Sequence, residues 1–353
     1  VIKISNAKSQ RIFIGAAFMF ALFVLLMNRA FIMDRFDWRP SLLEHNVAGL
    51  DSDFQFLWQK SSVFLLTSDF ETYLTVQDSH IIFAGSLNEN GTPSLFNLDL
   101  LTGDINWQTD VYPTGFTGDS LLVYTGSGND SLVAREISTG TIIWKTSLPN
   151  AKNFIYLIAD QGNLHALSST DNYYRLDSQT GQLQQTIGAT NTYFIDGDLA
   201  YSRSFGPTLI VKQLGNGTVA WQTGLSGPFS MKPMFTKDIV FIKAQQGAGP
   251  IGQIVALDRR TGAILWQTAP GSVLSNIAVS NGLAFYLTSE AQLYAVNAQT
   301  GDKFRTIEFL PAIPDEDIVN RRFAVAASEN SVVVYLGDSQ QMFVFRVLAD
   351  TQN

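Results

Sequence analysis

Two hydrophobic patterns divide the chain. From Ile12 to Met27 the sequence IFIGAAFMFALFVLLM contains no charged or strongly polar side chain. From about Asp51 onward, short runs of β-branched and aromatic residues alternate with clusters of Gly, Asn, Asp and Thr. Such runs, bounded by turn formers, read as strands and tight turns. The first pattern predicts a membrane-spanning helix and the second an all-β domain.

The β region repeats itself. LDLLTGDINWQT at Leu98–Thr109 returns as LDRRTGAILWQT at Leu257–Thr268. Weaker copies begin at Arg135, Leu176, Lys212 and Val296. Their glycines are Gly103, Gly140, Gly181, Gly217, Gly262 and Gly301, spaced 37, 41, 36, 45 and 39 residues apart. A period near 40 residues with four short strands in each unit is the signature of a propeller blade. Each repeated residue has a mechanical reason. The acidic or amide residue four before the glycine can accept backbone N–H bonds inside a turn. The glycine supplies a positive φ. Trp107, Trp144, Trp221 and Trp266, four after it, bury large rings between blades. The third and sixth copies lack the tryptophan and reach their Thr186 and Thr306 one residue early, so those two blades are expected to pack more loosely.

The ends fix the blade count. Ser331–Leu336 and Gln341–Leu348 read as strands, and no Thr-Gly-to-Trp strand follows them. Phe56–Gln59 reads as an outer strand with no partner of its own. Pairing the two halves makes a seventh blade and removes an open sheet edge. The expectation is an all-β, seven-bladed β-propeller, with eight blades as the alternative, and one N-terminal transmembrane helix. The predicted divisions are a tail at 1–11, the helix at 12–33, a linker at 34–50 and the propeller at 51–353.

A bilayer core takes about 20 apolar residues. Ile12–Met33 reaches that length if Arg29 snorkels to the headgroups. A cleaved signal peptide would have a shorter apolar core and a small-residue cleavage site. No A-x-A pattern follows Met27. Basic residues are evenly split, with Lys3, Lys8 and Arg11 before the run and Arg29, Arg35 and Arg39 after it. Charge therefore assigns no orientation.

The recurring L-D-x-x-T-G-x-x-x-W-x-T pattern resembles the PQQ-like repeat, over about Asp51 to Asp350. That family contains quinoprotein dehydrogenases and the propeller lipoprotein of the outer-membrane β-barrel assembly machinery. The resemblance implies a propeller on the extracytoplasmic side of a membrane. It also raises quinone chemistry, which in the dehydrogenases uses a calcium ion and adjacent cysteines. This chain has no cysteine, which also removes a lipid anchor on Cys and any thiolate site.

Other chemistry fails on context. A formal charge of −8 argues against nucleic acid, since phosphate contacts need clustered Lys and Arg. Gly247–Gly252 matches GxGxxG, but it lies between two strands rather than between a strand and a helix, as a dinucleotide loop requires. His45, His80 and His165 share no metal-ligand spacing. No catalytic, cofactor or metal residue is therefore assigned, and no cofactor is expected. Asp315, Glu316 and Asp317, in a proline-flanked connection, are solvated charge or a partner contact. The reading is a non-catalytic interaction scaffold or accessory subunit. Its expected partners are other membrane or extracytoplasmic proteins, and the lipid bilayer through residues 12–33. The alternative is a quinone- or ligand-binding enzyme or sensor that uses the central channel.

Overall fold

The computed structural model describes residues 46–348, except 49, 51–52, 66–72, 89–90, 111–112, 128–129, 189–191, 204–206, 230–231, 246–250, 270, 311–322 and 338. The apolar run 12–33 and the acidic trio Asp315, Glu316 and Asp317 lie outside the described residues. Among the described residues every regular element is a strand, and none is long enough and helical enough to cross a membrane.

The strands form seven antiparallel sheets, the blades of one propeller. Blade 1 runs from Leu74–Gln77 at the axis through His80–Ser86 and Ser94–Asp99 to Ile105–Thr109 at the rim. The next blades follow in chain order, with outer strands Ile142–Ser147, Leu183–Gly188, Val219–Gly224, Ile264–Gln267 and Lys303–Leu310. Blade 7 takes three strands from the C-terminal end, Phe323–Ser328, Ser331–Leu336 and Gln341–Val347. Its outer strand is Phe54–Lys60, paired antiparallel with Gln341–Val347. The ring is thus closed by strands from opposite ends of the chain, and the count is seven rather than eight.

The burial pattern explains why the middle strands read as unbroken apolar runs. Each blade packs both faces against neighbours, so Ser331–Leu336 and nearly all of Ile239–Gln245 are buried. Among the described residues six apolar clusters join the blades; Phe83, Val333 and Val344, for example, join blades 1 and 7. The outer strands see the core on one side only. In Ile142–Ser147 and Val219–Gly224 the single buried residue is the tryptophan.

One expected boundary moves. Asn46–Ala48, read as part of a linker, forms a fifth strand on the outer edge of blade 6, with Val47 opposite Phe309. Three residues carry too little periodicity to register as a strand. Their pairing is supplied by the exposed edge of Lys303–Leu310, a template of unpaired N–H and C=O groups.

Candidate functional site

Two features of the propeller can carry function: the cavity on its axis and the joints between its blades. The cavity measures about 250 Å³ and is walled by Leu74, Phe116, Ile158, Met234, Ile277 and Val325, among others. Three of its polar groups bond to the backbone of another blade. Asn276 donates to Val325 O at 2.7 Å and accepts from Val325 N at 2.9 Å, tying blade 6 to blade 7. Gln77 Nε2 donates to Gly118 O at 3.1 Å across blades 1 and 2. Lys232 donates to Leu157 O at 2.8 Å and lies 5.1 Å from the Tyr156 ring centre. No carboxylate or imidazole stands among the described residues that line this cavity. A calcium ion that holds a quinone takes carboxylate oxygens among its ligands, so the lining does not fit that cofactor.

The joints are built by the repeat. In blade 1, Asp99 Oδ1 accepts from Leu101 N and Thr102 N at 2.9 Å each, while Gly103 N returns to Asp99 O at 2.9 Å. Asp177, Asp258 and Asn297 make the same turn in their blades. Gly103, Gly140, Gly181, Gly217, Gly262 and Gly301 all hold φ between 69° and 75°.

A second constraint on these glycines comes from the preceding blade. A Cβ on Gly140 would stand 2.8 Å from Trp107 Cδ2, one on Gly181 2.5 Å from Trp144 Cδ2, and one on Gly301 2.8 Å from Trp266 Cδ2. Gly262 meets Trp221 still more closely. Each indole lies on the turn of the next blade and donates its Nε1–H to the carbonyl three residues before that glycine. The acceptors are Ile137 O at 2.7 Å, Ser178 O at 2.9 Å, Arg259 O at 3.1 Å and Ala298 O at 2.9 Å. Trp58, on the N-terminal strand of blade 7, makes the same contact with blade 1 through Leu100 O at 2.9 Å. The sequence repeat did not include Trp58, because no Thr-Gly turn precedes it. Trp144 and Trp221 are buried; Trp107 and Trp266 are half-buried. The motif threonine also has a use: Thr146 and Thr223 donate to Gly181 O and Gly262 O at 2.8 and 2.6 Å.

Two joints lack this lock. At the Trp position of blades 3 and 6 stand Gln185 and Arg305, which pair with Arg175 and Ala295 across the strands. The register equals that of Trp107 opposite Asn97, so neither strand is a residue short; the early threonines are simply a different residue at the next position. Arg305 instead reaches Asp53 beside the N-terminal strand, with Nε and Nη2 each 2.5 Å from Oδ2. Gln185 has no such substitute, and a Cβ on Gly217 would meet nothing within 4 Å. The joint between blades 4 and 5 carries an added ion pair, Arg259 Nη2 to Asp196 Oδ2 at 2.6 Å. Burial pushes the Asp196 carboxyl up, and the Arg259 guanidinium opposes that.

The exposed turn aspartates give a pH prediction. The Thr180 hydroxyl and N–H hold the Asp177 carboxyl below the usual carboxylate range, and Thr261 does the same for Asp258. A depressed folded value stabilises the protein above the unfolded pKa, about 3.9, and that contribution fades as pH falls through the folded value. Asn297 makes the same N–H contacts without a titrating group. Thermal melts of Asp258→Asn between neutral and acidic pH should therefore fall less steeply than wild type below about pH 4. Parallel curves for the two proteins would show that the turn contributes nothing to the acid limb.

The match to known proteins runs through these same repeats. The family model for outer membrane protein assembly factor BamB matches residues 90–191 and 216–339. The chain belongs to this family. A Yersinia pestis protein of that name is 22% identical, over 69% of this chain and 66% of its own length. A Francisella tularensis protein of the same name is 37% identical over 78 residues, 22% of this chain. This match spans only 16% of the Francisella protein. Among solved structures, one described as KlHsv2 with loop 6CD replaced by a Gly-Ser linker shares the fold, with a TM-score of 0.54 and 10% identity. It covers 79% of this chain and 93% of its own.

Proposed function

We propose that this protein is a non-catalytic accessory subunit of outer-membrane protein assembly, a scaffold that presents propeller surfaces to other assembly proteins. The observation that carries this reading is the family match across blades 1 to 3 and 4 to 7. The axial cavity supports it, because its polar groups are engaged in joining blades rather than converging on a common point. In this reading Ile12–Met33 is an uncleaved anchor and the propeller stands on the extracytoplasmic side. The domain division follows, with residues 46–48 transferred from the linker to the propeller.

An anchor adds location rather than stability. Holding the propeller in the membrane of its partner raises the effective concentration, and avidity by about 10²-fold or more. Deleting residues 1–35 should therefore release a folded propeller from membranes and sharply reduce its co-purification with integral outer-membrane assembly proteins in mild detergent. Undiminished co-purification of the deletion variant would end the recruitment role of the anchor. Failure of the full chain to co-purify with any such protein would end the scaffold reading itself.

A further inference from the structure

The joint between blades 3 and 4 differs from the others in a way that packing alone leaves unexplained. On the blade faces, a row of cross-strand neighbours leads outward to the lock position. It reads Tyr124–Ala134–Trp144 in blade 2, Tyr201–Val211–Trp221 in blade 4 and Phe241–Ala256–Trp266 in blade 5. In blade 3 it reads His165–Arg175–Gln185. An aromatic, a small residue and an indole are replaced by three polar side chains.

The polar row is not self-satisfied. His165 is 3% exposed; its Nδ1 lies 2.8 Å from the Tyr173 hydroxyl, and its Nε2 is buried with no hydrogen-bond partner. Arg175 Nε is likewise buried and unpartnered. Unpartnered buried polar atoms carry a desolvation cost and call for an explanation. Across the joint, the turn of blade 4 keeps the geometry that receives an indole elsewhere. Gly217 holds φ 71°, and both it and Gly215 border open space. Leu214 O occupies the place of the acceptor carbonyls Leu100, Ile137, Ser178, Arg259 and Ala298, and receives no side-chain donor among the described residues. Leu199, Leu214 and Ile187 line the apolar side of the same joint.

We propose that this joint is a receptor slot for a tryptophan side chain carried by an extended segment of a partner protein. The proposal rests on the scaffold reading and names the chemistry of one contact within it. The occupant is argued from the other joints, where five slots of the same construction each hold an indole. An incoming indole would lie on Gly217 and donate to Leu214 O. Arg175, opposite Gln185, would meet the ring face as a cation. The outer edge of Leu183–Gly188 carries no fifth strand among the described residues. The other outer strand without a tryptophan, in blade 6, is covered at its edge by the chain's own Asn46–Ala48. A partner strand added to blade 3 would use the same mode in trans.

The test titrates the full chain, in mild detergent and labelled with ¹⁵N-glycine, with N-acetyl-L-tryptophanamide and separately with N-acetyl-L-leucinamide. The expected result is a saturable shift of the Gly215 and Gly217 resonances with the tryptophan probe. That shift should be several-fold larger than with the leucine probe, and several-fold larger than at Gly103, Gly140, Gly181, Gly262 and Gly301, whose slots are filled. In Gln185→Trp the chain's own indole should fill the slot and abolish the response. No saturable shift at Gly217, an equal response at all the turn glycines, or an equal response to leucine overturns the proposal. If Gln185→Trp does not fold, the wild-type comparison of filled and vacant slots decides alone. A negative result leaves the scaffold reading standing, because that reading is judged by co-purification.

Discussion

Gly262→Val is expected to destabilise the propeller by about 2–6 kcal/mol, and Gly217→Val by only about half of that. Both positions hold φ near 70°, where a β-branched residue costs on the order of 1–3 kcal/mol in backbone strain. Only Gly262 has a neighbour in the way, since its Cβ would collide with the Trp221 ring. Overpacking a tight contact adds about 1–3 kcal/mol. Trp221 has nowhere to go without giving up its bond to Arg259 O, and the new Cβ would also stand 2.8 Å from the Thr223 hydroxyl, crowding its bond to Gly262 O. Around Gly217 there is open space, so strain alone remains. Paired unfolding curves in denaturant, for both variants and wild type, measure the difference. Equal losses at the two sites would mean that the glycines serve the turn and not the joint.

Much of the fold is legible because the repeat couples local chemistry to a fixed place in each blade. Asp or Asn, then Thr-Gly, then Trp marks the turn before an outer strand, and the spacing of those turns counts blades. The complementary ends, Phe54–Lys60 and Gln341–Val347, are legible because a sheet edge left open is costly. The joints are less so, since the partner of each tryptophan lies in the next blade. From sequence, Gly181 needs only a positive φ; in the structure it also needs to lack a Cβ because Trp144 stacks on it. His165, Arg175 and Gln185 stand ten residues apart on three strands. Nothing in their spacing brings them together, and only the register makes them one row. A central channel follows from the propeller fold, but its lining is not legible in the sequence, being assembled from the inner ends of many blades.

Trp144→Ala should cost about 3–5 kcal/mol, the range for removing a large buried aromatic. Trp144 is 9% exposed and packs with Tyr124 at a ring separation of 6.0 Å. Truncation would remove that area, open a void over Gly181 and leave Ser178 O without its donor. Trp144→Phe separates these contributions, since it keeps an aromatic ring but no N–H. A neutral hydrogen bond contributes about 0.5–1.5 kcal/mol net, so the phenylalanine variant should lose much less than the alanine variant. Trp107 is only half-buried, and Trp107→Ala should fall at the low end of the range. Gln185→Ala, at the joint with no lock, should cost less than about 1 kcal/mol, because Gln185 is half-buried but holds no bond across the joint. Denaturant unfolding of the four variants gives the series directly. If Trp144→Ala and Gln185→Ala were equally mild, the indoles would be decoration on joints held by the apolar blade faces alone. A steep loss at Trp144 with none at Gln185 would instead mean that five joints of the ring are locked from within, and that the joint between blades 3 and 4 is held together by other means.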